Sequence, residues 1–279
     1  MSKAFVRWRA FATVVFGASA LVVGMSTPAS AIVGGYVAAD DQFPWTVSVQ
    51  KGGAHACGGA ALNSRTVITS AMCVRGVRPE QLKLRYGSLR HDSGGSVVDI
   101  EKIVVHPRYD VVNRENDIAV LHTSENLSFG TNAATVCLPE PGSDPGGGVI
   151  AQASGWGALR EGGETPSQLM GVDLPTVSRQ QAQGQYGVTA VTANMIAAGL
   201  DAGGKSPGAG DEGSPLVARS NDKATLVGLY SWAGGNARPG YSAVFTRVGG
   251  YVDNFLADNM LGAGDGSTTD EPCGQPVVP

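Results

Sequence analysis

Two carboxylates and a hydroxyl fall within four residues in Gly210-Asp211-Glu212-Gly213-Ser214-Pro215, and a third acid, Asp117, enters an apolar run in Asn116-Asp117-Ile118-Ala119. Acyl transfer by a side chain needs a hydroxyl or thiol nucleophile, an imidazole to take and return its proton, and a carboxylate to orient the imidazole. Glu212 does not fill the first role, because a carboxylate attacking a peptide forms a mixed anhydride that reverts to the amide more readily than it advances. Ser214 is a conceivable nucleophile, but a turn that exposes position 212 points position 214 elsewhere. Glu212 acting as a general base on water is a third possibility, and it lacks a partner acid or metal. The only histidines are His55, His91, His106 and His122; no two are spaced as ligands, so neither a metal site nor a cofactor is expected.

The elements that must carry these groups read as β-structure. Between Ile32 and about Pro139, apolar runs at Thr66 to Ile68, Leu82 to Tyr86, Val97 to Ile100 and Ile118 to Leu121 alternate with turn-forming clusters, the pattern of antiparallel strands. The stretch from Pro139 to Gly148 is dominated by proline and glycine and reads as a crossing between two units. Strand-like runs then resume at Val149 to Ala153, Leu169 to Leu174, Leu216 to Val217, Thr225 to Tyr230 and Ala243 to Val248. Tyr251 to Leu256 and Gln180 to Gln185 are the helical candidates. The segment from Gly262 lacks periodicity and reads as a surface tail.

With 279 residues, 42% hydrophobic and 16% charged, the chain can bury a sizeable core, and its 40 glycines and 15 prolines suit many short strands and tight turns. Lys3, Arg7 and Arg9 precede an apolar run from about Ala10 to Met25 and the small residues Ala29-Ser30-Ala31, so residues 1–31 read as a secretory signal removed after Ala31. The run is short for a membrane-spanning helix, and no membrane association is expected after cleavage. Losing those basic residues makes the mature chain more acidic than the formal charge of −4, which disfavours nucleic acid as a partner. Four cysteines, at 57, 73, 137 and 273, fit an exported protein.

Seven landmarks then occur in order: Ile32-Val33-Gly34-Gly35, Phe43-Pro44-Trp45-Thr46-Val47-Ser48, His55-Ala56-Cys57-Gly58-Gly59-Ala60-Ala61-Leu62, Asn116-Asp117-Ile118-Ala119-Val120-Leu121, Ser154-Gly155-Trp156-Gly157, Ser231-Trp232 and Val244-Phe245-Thr246-Arg247-Val248. Over residues 32 to 258 the chain resembles the trypsin/chymotrypsin family of serine proteases. The resemblance implies an all-β fold of two antiparallel six-stranded β-barrels of the chymotrypsin type. The first would span about 32–138, the second about 149–248, followed by a C-terminal helix at about 249–258 and a tail at 259–279. It also exposes two departures. The family's histidine segment reads Thr69-Ser70-Ala71-Met72-Cys73, with Met72 in place of the general base, and the nucleophile segment carries Glu212 in place of serine.

Site roles follow from the same resemblance. Asp117 is the retained triad member, expected to be buried and to accept hydrogen bonds from N–H groups near Ala71 and Met72 and from the Ser231 hydroxyl. The N–H groups of Gly210 and Glu212 would form the oxyanion hole, which the Glu212 side chain either fills by curling back or leaves for solvent. A free Ile32 ammonium would pair with Asp211. Ser206 falls at the base of the specificity pocket, with Ser231, Trp232, Ala233 and Ala243 on its walls; two alanines replace glycines, and Gly208 and Asn236 replace a bracing disulfide. Cys57 would bond Cys73, and Cys137 either bonds Cys273 or remains a thiol or intermolecular link. His55 and His106 are not expected to reach the site, the latter lying in a surface pattern. The implied function is that of a secreted homologue without proteolytic activity. It would bind a protein or extended peptide, as an inhibitor decoy, a protease cofactor or a surface binder. The alternative is an active serine endopeptidase.

Overall fold

The computed structural model describes Met1 and residues 32–158, 162–220, 223–235, 237–261 and 273. The signal-like segment, Asn236 and the tail beyond Leu261, apart from Cys273, lie outside the described residues. The short strand β1 (Tyr36–Val37) leads into a closed antiparallel barrel of β2 (Thr46–Lys51), β3 (Ala54–Ala61), β4 (Thr66–Thr69), β5 (Leu82–Tyr86), β6 (Ser96–Val105) and β7 (Ala119–Thr123). The second unit comprises β8 (Ile150–Gly155), β9 (Met170–Val177), β10 (Met195–Ala198), β11 (Pro215–Ser220), β12 (Lys223–Ala233) and β13 (Ala243–Arg247). Its strand order β9-β10-β13-β12-β11-β8 closes through a β8–β9 pairing, and β1 adds to β9 outside the ring. Two six-stranded antiparallel barrels of the chymotrypsin type result.

Side-chain alternation explains why several strands are apolar without interruption. On β7, Ala119 and Leu121 point into the first barrel, while Val120 joins the core between the barrels. On β12 a register shift at Val227 interrupts the two-residue period, so that Val227 and Tyr230 fill the second barrel while Leu226 and Leu229 face that same shared core. Both faces of these strands are buried, so no polar alternation is required. Trp45, Ile68, Trp156 and Val217 complete the shared core. The Pro/Gly segment 139–148 carries no strand and crosses from one barrel to the other.

Short α1 (Ala71–Val74) follows β4, and α2 (Arg179–Tyr186) covers the predicted helical stretch at 180–185. The C-terminal helix expected at about 249–258 is irregular. It consists of a 3-10 turn at Val248–Gly250, a π-helical turn at Val252–Leu256 and a final α-turn at Ala257–Asn259, with Leu256 N–H bonded to Tyr251 O at 2.9 Å. Past it, Leu261 N–H donates to Thr66 Oγ1 and Asn63 Nδ2 to Leu261 O, laying the start of the tail on the first barrel. Disulfides join Cys57 to Cys73 and Cys137 to Cys273.

Candidate active site

The loop from Gly208 to Pro215 is shaped by two tight turns, in which Asp211 N–H donates to Gly208 O at 3.0 Å and Ser214 N–H to Asp211 O at 2.8 Å. Gly213 sits at φ +81°, and a Cβ there would come within 2.2 Å of Thr69 Oγ1 and 2.6 Å of Gly58 O. Only glycine permits that backbone to rest directly on β3 and β4. Gly58 N–H donates to Glu212 O at 2.9 Å, and Gly213 N–H and Tyr230 N–H exchange bonds with Tyr230 O and Ser214 O. Both barrels therefore hold the loop.

Glu212 is half-buried, and its side chain turns back so that Oε2 accepts the Gly210 N–H at 2.8 Å. A donor aimed at the space beside position 212 is thus already engaged by a carboxylate. Ser214 does not offer an alternative nucleophile: it is buried, and a Cβ on Gly58 or Gly155 would meet its Oγ at 2.0 or 2.7 Å. Its hydroxyl faces those backbones and has no hydrogen-bond partner among the described residues.

Asp117 is fully buried and receives three donors. Ser70 Oγ donates to Oδ1 at 2.6 Å, Met72 N–H to the same oxygen at 2.8 Å, and Ser231 Oγ to Oδ2 at 2.5 Å. The Met72 and Ser231 donors were anticipated; in place of the Ala71 N–H, the second α1 donor is the Ser70 hydroxyl. Ser70 is the N-cap of α1 and also accepts the Met72 N–H, the usual duty of a serine at that position. Ser231 is aimed by a bulge in β12 between Tyr230 and Trp232, a device that re-directs a side chain out of register. Met72 is 41% exposed, and a thioether has no proton to exchange.

Asp211 is also fully buried, with Oδ1 accepting Gly157 N–H at 2.7 Å and Oδ2 accepting Gly208 N–H at 2.9 Å. Burial, reinforced by the charge of Glu212, pushes its carboxyl up to about 7 despite those two donors. No cationic partner of Asp211 occurs among the described residues. The Ile32 side chain is fully buried in the second-barrel core, and Val33 O accepts Ser206 N–H at 3.2 Å. That contact draws the Ile32 end to the loop carrying Asp211. In the full chain the Ile32 nitrogen belongs to a peptide bond, so the expected ammonium does not exist there.

Around the predicted pocket, Ser206 is buried and its hydroxyl donates to Pro207 O at 2.8 Å. Ala233 and Ala243 are direct partners on β12 and β13, so the two added methyl groups belong to one rung of the sheet. The Trp232 ring packs edge-on against Tyr186 at 4.8 Å between centroids. Tyr186 Oη in turn donates to Ser242 O and accepts the Gly234 N–H.

Two histidine expectations are corrected. His55 reaches the site's backbone: Nε2 lies 3.0 Å from Gly210 O and Nδ1 2.8 Å from Ser48 Oγ, beneath the rings of Trp156 and His91. Burial lowers its pKa to about 4, so it is neutral at ordinary pH and buttresses the loop. His106 is buried, packed edge-on against Tyr251 and Phe255 of the C-terminal helical run.

Residues 32–254 match the sequence profile of the Trypsin family. The chain belongs to the trypsin family. The trypsin-family chain is 40% identical over 226 residues to trypsin Blo t 3 of Blomia tropicalis, covering 79% of this chain and 83% of that protein. It is 36% identical over 237 residues to trypsin-1 of Astacus astacus (81% and 99%), and 36% identical over 234 residues to a vitellin-degrading protease of Bombyx mori (82% and 87%).

Proposed function

We propose that this trypsin-family chain is exported, does not hydrolyse peptides, and acts by binding a protein or an extended peptide. The observation that carries the reading is the engagement of Gly210 N–H by the Glu212 carboxylate at 2.8 Å, at a position where the family has its attacking hydroxyl and with Met72 in place of the base. The two N–H groups at 210 and 212 are the donors that an oxyanion would need, and here one of them is held by the chain's own anion. Loss of nucleophile or base costs on the order of a millionfold in triad enzymes. Asp117 then serves the fold by tying α1 to β12 through Ser70, Met72 and Ser231.

Partner recognition in this reading uses backbone pairing along the strand edge at Ser231-Trp232, in the manner of strand addition. Ligands of that form include a protease-inhibitor loop or a peptide segment of a protease. Export follows from the signal-like residues 1–31, and the two disulfides are compatible with an oxidising compartment.

A second reading, an active serine endopeptidase, is favoured by the names of the relatives, which include two trypsins and a vitellin-degrading protease. One experiment separates the two. The purified chain beginning at Ile32 is incubated with a broad peptide library and, in parallel, with a fluorophosphonate probe that captures activated serines. Neither cleavage nor labelling is expected. Labelling would establish the endopeptidase, and cleavage without labelling that disappears in Glu212→Gln would establish water activation by Glu212.

A further inference from the structure

A recess of about 200 Å³ opens on the first barrel, between the turn that joins β5 to β6 and the segment 128–133 that follows β7. None of its lining residues belongs to the candidate active site. Its walls are tied together: Ser128 N–H donates to Tyr86 Oη at 3.0 Å, and Gly130 and Ala133 exchange backbone bonds of 2.8 and 3.1 Å. Leu127, buried in the first-barrel core, anchors the segment from its start. Gly95 holds the turn at φ +57°, where a Cβ would come within 2.1 Å of Tyr86 O. A Cβ on Gly130 would meet no atom within 4 Å, so this backbone faces open space.

The lining selects a kind of ligand. Tyr86 is the only ionisable residue in it, so neither a carboxylate nor an ammonium finds a counter-charge there. The polar side chains are the hydroxyls of Ser96, Ser128 and Thr131 and the carboxamide of Asn132, groups that both donate and accept. Asn132 Oδ1 accepts Asp41 N–H at 3.1 Å, which directs the amide N–H bonds to a ligand, and the Tyr86 hydroxyl, an acceptor from Ser128, keeps its own proton to give. Tyr86 and Phe129 pack on the barrel core and add an apolar wall. Ser96, Ser128 and Thr131 are exposed, which leaves the rim open. A matching ligand is uncharged, with hydroxyls around its edge and C–H groups on its face. Sites for drug-sized ligands run to roughly 300–1,000 Å³, so this smaller space suits one six-membered ring.

We infer that the recess binds a single neutral pyranose ring, its hydroxyls met by Asn132, Ser96, Ser128 and Thr131 and its C–H face by Phe129. The hydrogen bonds among the walls hold the shape before the ligand arrives, which lowers the ordering cost of binding. The open rim admits a free sugar or the terminal residue of a glycan. This carbohydrate site uses no residue of the peptide-binding reading and stands or falls independently of it.

The test is saturation-transfer NMR on the chain beginning at Ile32 with the methyl pyranosides of glucose, galactose, mannose and N-acetylglucosamine, each titrated alone. At least one is expected to give a saturable signal with Kd of about 1 mM, the range open to so small a ligand. Gly130→Leu places a side chain in the open space at a position whose φ is not positive, and it should weaken binding at least about tenfold. Thr131→Trp, which covers the recess from its exposed rim, should do the same and serves if Gly130→Leu does not fold. Disaccharide methyl glycosides ending in the same ring distinguish the sources: comparable affinity assigns the end of a glycan, and binding of the monosaccharide alone assigns a free sugar. No saturable signal from any of the four, or a signal that neither variant weakens, overturns the inference.

Discussion

Glu212 Oε2 accepts the N–H of Gly210, two residues earlier, at 2.8 Å. The bond closes a small ring in which a backbone donor is satisfied by the side chain that, in the proposed reading, stands where the family has its nucleophile. Gly210 holds its amide there at φ +94°, a backbone conformation that glycine adopts without steric cost.

Reversion of the two departures is expected to be strongly non-additive. Glu212→Ser alone lacks a base and Met72→His alone lacks a nucleophile, so each single variant stays at the level of the parent. The double variant, built on the chain beginning at Ile32, should raise kcat/KM for peptide ester substrates by ~10³ or more. Parallel progress curves for the four proteins check this, and activity in either single variant would show that another group does the missing work.

Under the proposed non-catalytic function, Asp117 is expected to matter for stability. Asp117→Ala leaves the Ser70 and Ser231 hydroxyls without their acceptor in a buried place and removes one of the two acceptors of the Met72 N–H. Leaving buried donors unsatisfied costs about 1–3 kcal/mol for a group, and an expected loss of about 3 kcal/mol would appear as a lower urea midpoint. An unchanged midpoint would refute the structural role assigned to it.

Asp211 gives the chain a pH dependence that processing should remove. Where residues still precede Ile32, the folded carboxyl is raised to about 7, above its unfolded value, so the folded state holds a proton that the unfolded state has released. Its contribution is fully present below about pH 4 and declines as pH rises to about 7, by up to about 4 kcal/mol for a shift of this size. A free Ile32 ammonium paired with Asp211 would lower the folded pKa and flatten that decline. Urea denaturation of both forms between pH 4 and 8 tests it: the same slope in both means that the ammonium does not reach Asp211.

Opening the Cys57–Cys73 bond, which spans 16 residues around α1, should be costly. A crosslink closing a loop of this length stabilises by about 3 kcal/mol. The Cys57→Ser, Cys73→Ser double variant should show a correspondingly lower Tm by calorimetry, and should also weaken the seating of Met72 N–H on Asp117. An unaltered Tm would place the constraint on α1 elsewhere.

Much of this protein is fixed by residue order. Apolar runs interrupted by glycine and proline define the strands, the landmark segments define which strands become neighbours, and the replacements at 72 and 212 are visible as letters. The helix at Arg179–Tyr186 and the crossing at 139–148 are legible for the same reason, since local propensity and turn chemistry act over a few residues. The direction of individual side chains was decided only by the tertiary structure. Nothing local to Ser70 says that its hydroxyl will meet Asp117, 47 residues away, or that His55 will lie against Gly210 O, 155 residues away. His106 looked like a surface residue until the C-terminal turn brought Tyr251 and Phe255 over it. Whether Glu212 faces solvent or its own amide depends on which groups from distant strands occupy the space around it. Sequence patterns encode the periodic burial of strands; the pairing of single polar atoms is settled by packing, because a donor's partner is chosen by distance and angle in three dimensions.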